Sequence, residues 1–282
     1  MLTTPALQLL HAYRPDLRIG VAVEDRFREI FEGLPEVAGI LRPEIGAVRA
    51  WSPVLCLNLH GGTRSAWMTA LSGARWRAGF SHYRHQFVYN LKIPRAQEIL
   101  GMERKVHTAE HLASAMFHLG VPIGEIPRAS LGLNGNVLRR PGAGPCQAVI
   151  HALAANPDKT WPAERFLAVA GHLAGAGFEP VFIGGAGDDL APFTGYRTVQ
   201  GASLSEIKAL LGGASLFVGN DSGPAHMAAA FGLPVVVIFG PSDPAIWGPW
   251  HTPGEVVQDP AGIGAIPVAR VVEALDRVRV HA

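Results

Sequence analysis

Charged residues are scarce in this sequence. Of its 282 residues only 17% are Asp, Glu, Lys or Arg, against about 25% in an average soluble protein. The 24 basic and 23 acidic residues leave a formal net charge of +1. The overall charge therefore does not indicate binding to nucleic acid, and we expect at most a peripheral contact with a membrane.

Cysteines and long apolar runs are also lacking. Cys56 and Cys146 are the only cysteines, which is too few for the disulfide framework of a small secreted protein. Apolar runs such as residues 235–239 fall far short of the roughly 18 residues that span a bilayer. The first residues have neither the basic nor the apolar region of a signal peptide. We therefore expect a cytoplasmic protein without a transmembrane segment.

Glycine and proline are abundant instead, with 33 and 22 residues, and 48% of the chain is hydrophobic. This composition is typical of a turn-rich globular protein with a large core. Short β-branched runs alternate with longer amphipathic segments along the whole chain, which indicates βα units around parallel sheets. At roughly 100–200 residues per domain, the length fits two domains.

Turn-forming residues interrupt the βα pattern between residues 126 and 146, and we interpret this stretch as a linker. The predicted fold is α/β, with two Rossmann-like domains facing a cleft, one in residues 1–125 and the other in residues 147–282. Ligands of such folds bind at the carboxyl ends of the strands. Strands are predicted near residues 18–23, 37–41, 54–59, 77–80, 148–152, 180–184, 215–219 and 234–239, and helices near residues 108–119 and 266–278 and after Pro162, Ser203 and Ser222.

The most informative segment is an apolar strand that runs into a polar turn and a helix, residues 216–226 (LFVGNDSGPAH). Ser222 suits the N-cap position, and Pro224 is tolerated in a first helical turn. The helix dipole and the backbone N–H groups favour an anion such as phosphate there. Asp221 is placed to accept hydrogen bonds from sugar hydroxyls, and His226 to reach the same anion. Alternatively, Asp221 is a simple cap and His226 an ordinary histidine at the edge of the core.

Two further turns carry candidate binding residues. The buried strand at residues 235–239 ends in the turn GPSDP, which contains Ser242. Lys159 lies between another strand-and-loop segment and the helix that follows Pro162, and an ammonium group suits a diphosphate. A lone lysine before a helix is more often simply solvated, so this assignment depends on its context.

Taken together, these segments resemble glycosyltransferase family 9, the ADP-heptose:lipopolysaccharide heptosyltransferases, whose two-domain fold is of the GT-B type. Three stretches carry the resemblance, and together they extend it over nearly the whole chain. They are residues 57–80 (LNLHGGTRS, then LSGA and RAGF), residues 158–162 (DKTWP) and residues 218–244 (VGNDSGPAH, AAAFGLP and FGPSDP).

The resemblance implies an inverting transfer of a heptose or related sugar from an ADP-sugar to a lipopolysaccharide-core or related glycan acceptor, with no metal ion or other cofactor. In such a reaction a base removes the proton of the acceptor hydroxyl, its oxygen attacks the anomeric carbon, and the nucleoside diphosphate leaves. The residues that the resemblance assigns to the donor are Lys159, Asp189, Asp221, Ser222, Gly223, His226 and Ser242.

Within this assignment Lys159 holds the diphosphate, and Asp189 takes the place of an acidic residue that binds the donor ribose. The neighbouring Asp188 would serve as well. For the acceptor, Arg64 falls where the family keeps a basic residue that faces anionic groups, and His60 lies beside it. A solvated helix start is the alternative for Arg64.

The sequence departs from the family pattern at its start. Family members begin with a hydrophobic strand and a turn containing Gly-Asp before a helix, whereas this sequence begins inside that helix, at residues 1–7 (MLTTPAL). The strand and the aspartate thought to act as the catalytic base have no counterpart. Either the start codon is assigned too late, or the protein binds nucleotide sugars with impaired or no turnover. A missing strand would expose two sheet edges, which favours the first explanation.

The catalytic base therefore stays unassigned. Glu24 and His60 are the candidates in the first domain, and each also has a structural or acceptor-binding interpretation.

Two other functions fit parts of the sequence. Residues 107–111 read H-x-x-E-H, the spacing of some zinc proteases, but this pentapeptide starts the helix that ends the first domain, and a zinc peptidase needs a third ligand on a nearby helix. A nucleotide-sugar epimerase or a binding-only protein can use the same fold, because fold does not determine function. An assay with nucleotide sugar but no acceptor separates the epimerase, which converts the donor, from a transferase.

Overall fold

The computed structural model describes residues 1–132, 146–154 and 156–281. The chain divides into two units, residues 2–132 and the described residues from Cys146 onward. Each unit contains parallel strands connected by helices, so the predicted α/β class is confirmed. The first part of the predicted linker, residues 126–132, belongs to the first unit. Residues 133–145 of that linker lie outside the described residues, and its boundaries stay a prediction.

Helices and strands alternate through both units. The helices are α1 (Thr4–Tyr13), α2 (Arg28–Phe31), α3 (Ile45–Ala50), α4 (Thr63–Ala70), α5 (Ala96–Leu100), α6 (Thr108–His118), α7 (Ala163–Gly175), α8 (Leu204–Gly213), α9 (Gly223–Ala230), α10 (Pro244–Trp247) and α11 (Val268–Val278). The strands are β1 (Gly20–Ala22), β2 (Gly39–Leu41), β3 (Leu55–Asn58), β4 (Trp76–Phe80), β5 (Leu91–Ile93), β6 (Cys146–His151), β7 (Phe178–Gly184), β8 (Arg197–Gln200), β9 (Leu216–Asn220), β10 (Val235–Phe239) and β11 (Gly254–Gln258). None of the helices in the described ranges has both the length and the apolar composition needed to cross a membrane.

The first unit contains two small parallel sheets. β1 pairs with β2, and β3, β4 and β5 form a three-stranded sheet in that order. Within residues 2–132, β1 and β3 are each paired on one side only. Helix α6 packs against α1 and α5 and buries Leu112, Ala115 and Met116.

The H-x-x-E-H motif forms the start of α6. His107 is the N-cap residue, and its Nδ1 accepts a hydrogen bond of 3.1 Å from the backbone N–H of Ala109. Glu110 accepts a bond of 2.9 Å from the backbone N–H of His107, and Arg104 donates to both of its carboxylate oxygens, at 2.6 and 2.9 Å. Only His111 lies inside the helix, because His107 precedes it as the N-cap residue, so the two histidines do not form a pair on one helix face. The spacing is that of a capping box.

The second unit is built on a six-stranded parallel sheet, among the described residues, with strand order β11-β10-β9-β6-β7-β8. This is the order of a doubly wound Rossmann sheet. β9 and β10 are buried along their whole length, as expected for central strands covered on both faces. The helices predicted after Pro162, Ser203 and Ser222 begin at those positions.

Three strands were not predicted, namely β5, β8 and β11. All three lie at the edge of a sheet, and most of their residues are exposed or half-buried. An edge strand needs little apolar patterning, because much of its surface meets water. The hydrophobic pattern on which the prediction depended is therefore weakest in these strands.

Candidate functional site

The candidate site lies at the carboxyl ends of β6 and β9. These two strands are neighbours in the sheet, and the direction in which the chain adds strands reverses between them. In open α/β sheets this reversal opens a crevice at the strand ends, where ligands bind. Lys159 follows β6 and Asp221 follows β9, so the topology itself brings these two predicted residues together.

Lys159 and Asp221 form an ion pair. The Nζ of Lys159 donates a hydrogen bond of 2.9 Å to Oδ2 of Asp221. The Asp221 side chain is 9% exposed and that of Lys159 34% exposed. The lysine is therefore not a simply solvated residue, and the aspartate is not a simple helix cap. Because an ammonium group has three N–H donors, this pairing leaves Lys159 with donors for a further anion.

Ser222 occupies the N-cap position of α9, as predicted, but its side chain makes no capping hydrogen bond. Its hydroxyl instead shares a hydrogen bond of 2.9 Å with Nδ1 of His151, the last residue of β6. Burial lowers the pKa of His151 to about 4, and the charge of Asp188 opposes this shift only in part. The imidazole is thus neutral near pH 7 and holds the serine hydroxyl beside Asp221.

Sequence reasoning missed His151 as a site residue. The signal was available, because His151 ends a predicted strand next to the one that precedes Asp221. A single polar residue at a strand end was too little to assign a role without knowing the strand order.

The remaining donor candidates of the second unit lie on α9 and after β10. Gly223 and His226 are in the first turn of α9, with the glycine exposed and the histidine half-buried. Ser242 lies in the turn after β10, and the side chain of Gln258 donates to the backbone carbonyls of Gly240 and Ser242, at 2.8 and 3.0 Å. Gln258 was missed because it ends β11, a strand that the sequence did not predict.

The two acidic candidates for ribose binding follow β7. Oδ1 of Asp189 accepts a hydrogen bond of 2.9 Å from the backbone N–H of Ala191. Oδ2 of Asp188 accepts one of 2.7 Å from Gly185. Asp188, rather than Asp189, is the residue whose charge acts on His151. The assignment of Asp189 to the ribose stays a prediction. Asp188 is the better supported alternative, because its charge acts on His151.

A buried asparagine holds the two strand ends in place. Asn220 is fully buried, its Nδ2 donates to the carbonyl of Ala152 at 2.9 Å, and its Oδ1 accepts from the backbone N–H of Trp161 at 3.1 Å. The loop that carries Lys159 is thereby tied to the strand that precedes Asp221. The same loop packs tightly on β10, because a Cβ at Gly240 would lie 2.3 Å from the carbonyl oxygen of Asp158.

We expect Asn220→Ala to lower the free energy of unfolding by about 1–3 kcal/mol, because it leaves a buried N–H and a buried C=O without partners. Asn90→Ala is the matched control. Asn90 also makes two bonds to backbone groups, with Arg77 and Arg75, but it is exposed, so water replaces them at little cost. Urea unfolding measures the free energy of unfolding of the two variants. If both variants lost the same free energy, burial of the Asn220 hydrogen bonds would not explain the effect.

The first-unit candidates are not joined to one another by any hydrogen bond or ion pair that the structure of residues 2–132 contains. Glu24 follows β1 and pairs with Arg26 at 2.9 Å. His60 follows β3, and its Nδ1 accepts a bond of 3.2 Å from the N–H of Gly62. Arg64, exposed in the first turn of α4, donates to the carbonyl of Pro43 at 2.8 Å.

A depression of about 910 Å³ lies beside the lysine loop of the second unit. Asp158 and Asp259 line it, and no lysine or arginine does. Asp259 is paired with Arg270 at 2.9 Å, but two carboxylates still make this depression less favourable for an anion than the ammonium group of Lys159. A diphosphate is therefore better placed on the other side of the loop, at Lys159 and the start of α9.

Comparisons with known proteins show similarity to one family. A family model described as glycosyltransferase family 9 (heptosyltransferase) matches residues 54–262. Lipopolysaccharide heptosyltransferase 3 of Escherichia coli is 27% identical to this chain over 99% of the chain and 95% of its own length. Lipopolysaccharide heptosyltransferase 1 of E. coli strain K12 is 31% identical over 38% of the chain and 35% of its own length.

Solved structures resemble the whole chain. A glycosyl transferase family 9 protein from Veillonella parvula has a TM-score of 0.86 at 20% identity, over 100% of this chain and 93% of its own. The E. coli heptosyltransferase WaaC, solved with ADP, has a TM-score of 0.80 at 20% identity, over 98% and 95%. This likeness shows the fold, and the predicted GT-B class is confirmed.

Proposed function

The chain belongs to glycosyltransferase family 9, the heptosyltransferase family, and on that basis we propose that it transfers a heptose from ADP-heptose to a lipopolysaccharide-core acceptor with inversion at the anomeric carbon. The observation that carries the proposal is the Lys159–Asp221 pair at the ends of adjacent strands. It combines a cation for the diphosphate with a carboxylate for sugar hydroxyls. The E. coli relative that matches almost the whole chain supports the acceptor class.

The donor diphosphate is held by Lys159 and the start of α9. Ser222, Gly223 and His226 belong to this helix start, where backbone N–H groups and the helix dipole favour negative charge. As the glycosidic bond breaks, charge grows on the leaving diphosphate. A fixed cation and fixed N–H groups stabilise that charge without having to reorient, which lowers the barrier.

Asp221 has two tasks in this mechanism. It fixes Lys159 through the 2.9 Å hydrogen bond, and its remaining acceptor capacity is available to the hydroxyl groups of the transferred sugar. His151 holds the hydroxyl of Ser222 in place. Because this imidazole is neutral, it adds no charge of its own.

The acceptor is assigned to the first unit, with Arg64 for its anionic groups and His60 beside it. His60 is also the better placed of the two candidate bases. Its Nε2 has no partner within the described ranges, whereas a carboxylate oxygen of Glu24 is bound to Arg26. Both residues stay candidates.

The test is an assay of the purified chain with ADP-heptose and a heptose-deficient lipopolysaccharide core. We expect ADP release that depends on the acceptor, and a new glycosidic bond whose anomeric configuration, read by NMR, is opposite to that of the donor. Donor without acceptor is the control. Conversion of the donor in that control would identify an epimerase, and retention of configuration would contradict the proposed mechanism.

A further inference from the structure

The carboxyl ends of β3, β4 and β5 are followed by no carboxylate. Residues 45–97 contain no Asp or Glu, and this range includes the three strands and the residues directly after them. Parallel strands end at the same edge of their sheet, and ligands of α/β folds bind at that edge. A base that removes a proton there therefore has to be another kind of side chain.

Two histidines and a tyrosine lie directly after these strand ends. His60 follows β3, and His82 and Tyr83 follow β4. The hydroxyl of Tyr83 donates a hydrogen bond of 2.8 Å to the carbonyl of Leu59. Burial raises the pKa of Tyr83, and the neighbouring Tyr89 raises it further. Tyr83 thus stays a neutral phenol at pH 7, and the two histidines are left as possible bases.

The tautomer of His60 makes it less suited to accept a proton. Its Nδ1 accepts a hydrogen bond of 3.2 Å from the N–H of Gly62. An imidazole that is neutral and accepts at Nδ1 carries its own proton on Nε2. The open nitrogen of His60 is then a donor. It suits an acceptor oxygen as a hydrogen-bond partner, but it does not take up a proton while the bond to Gly62 lasts.

The ring of His82 is surrounded by other rings. It packs edge to face on Tyr83, with centroids 4.9 Å apart, and lies 5.5 Å from Phe80 and 5.3 Å from His111 of α6. Phe80 is fully buried and stacks on His111 at 4.0 Å. In the described part of the chain neither nitrogen of His82 has a hydrogen-bond partner, and the residue is exposed. Its ring is therefore packed in place while its nitrogens stay open.

The titratable groups that face His82 keep it neutral. Partial desolvation lowers its pKa, and the guanidinium of Arg95, at the N-cap of α5, lowers it further. Burial lowers the pKa of His111 to about 4, and the charge of His82 contributes to this shift. His111 and Tyr83 are thus both uncharged near pH 7. An uncharged His111 does not repel a proton that arrives on His82.

We propose that His82 is the catalytic base that removes the proton of the acceptor hydroxyl, an inference that rests on the proposed function. The proton moves to a ring nitrogen of His82 while the acceptor oxygen forms its bond to the anomeric carbon. The bond between that carbon and the diphosphate breaks, and its electron pair leaves with ADP. Because His82 is exposed, its imidazolium then releases the proton to water.

The experiment is the heptosyl-transfer assay of the full chain, with His82→Gln as the test variant. We expect kcat to fall by about 10²–10⁴, the usual contribution of a general base, while the KM for the acceptor and the affinity for ADP stay the same. His118→Gln is the matched control, because it removes an exposed histidine at the end of α6. It should keep the kcat of the unchanged chain. Thermal unfolding verifies that both variants are folded.

The pH profile gives a readout that a merely structural role would not change. As the pH falls, kcat/KM should decrease when His82 takes up a proton. Arg95→Gln should move this decrease to higher pH, because loss of the cation raises the pKa of His82. A decrease that stays in place in Arg95→Gln, or one that is removed by His60→Gln and kept by His82→Gln, would overturn the assignment.

The kinetics also separate this inference from the proposed function. If the unchanged chain transferred no heptose, the proposed function itself would fail. If it transferred heptose and His82→Gln had the same kcat, or differed only by a higher KM, only the assignment of His82 as the base would fail.

Discussion

Replacing Lys159 with methionine is expected to lower kcat/KM for heptosyl transfer by about 10²–10³, because it removes the fixed cation that faces the leaving diphosphate. The affinity for free ADP should fall roughly tenfold or more, since charge-assisted hydrogen bonds are worth about 1.5–3 kcal/mol. Steady-state kinetics and calorimetric titration with ADP measure the two effects. Arg197→Gln, a surface variant of the same unit, should change neither.

This variant also removes the partner of Asp221. The Asp221 side chain is only 9% exposed, so an unpaired carboxylate there should lower the free energy of unfolding by about 1–2 kcal/mol, a value reduced by the partial exposure of the pair. The double variant Lys159→Met/Asp221→Asn removes both charges and should recover most of that stability without recovering transfer. If activity returned with stability, the effect of the single variant would be structural.

Most of the fold could be predicted from the sequence, because its central strands carry strong signals. β10 is a continuous apolar run and β9 is apolar up to Asn220, and both are followed by glycine-containing turns. Such runs are typical of strands buried on both faces. The helices that follow Pro162 and Ser203 begin at residues suited to helix starts. The edge strands β5, β8 and β11 lacked continuous apolar runs, so they were not predicted.

The sequence predicted which types of residue form the candidate site, but not the contacts between them. The sequence suggested a lysine for phosphate and an aspartate for sugar, but it did not predict their ion pair. Lys159 and Asp221 are 62 positions apart, and only the pairing of β6 with β9 brings them together. The bond between His151 and Ser222 depends on the same pairing. Contacts of this kind depend on the order of the strands in the sheet. Local sequence patterns do not specify that order.

The ion pair with Lys159 allows a more specific prediction for Asp221. Asp221→Asn keeps the shape of the side chain and an oxygen that can still accept from Lys159, but it removes a negative charge close to the proposed diphosphate site. We expect the affinity for free ADP to stay the same or to rise, because the lysine charge is no longer offset. The affinity for ADP-heptose should fall about tenfold, because hydroxyl groups of the sugar lose a charged acceptor.

Comparing the two ligands in the same variant separates the tasks of Asp221. Calorimetric titrations with ADP and with ADP-heptose give the ratio of the two dissociation constants, and a structural disturbance would affect both. Asp158→Asn is the matched control, since it removes an exposed carboxylate next to the same lysine without breaking its 2.9 Å bond to Asp221. That variant should leave the ratio unchanged. If Asp221→Asn weakened ADP and ADP-heptose equally, Asp221 would serve only to hold Lys159, and the sugar would need another acceptor.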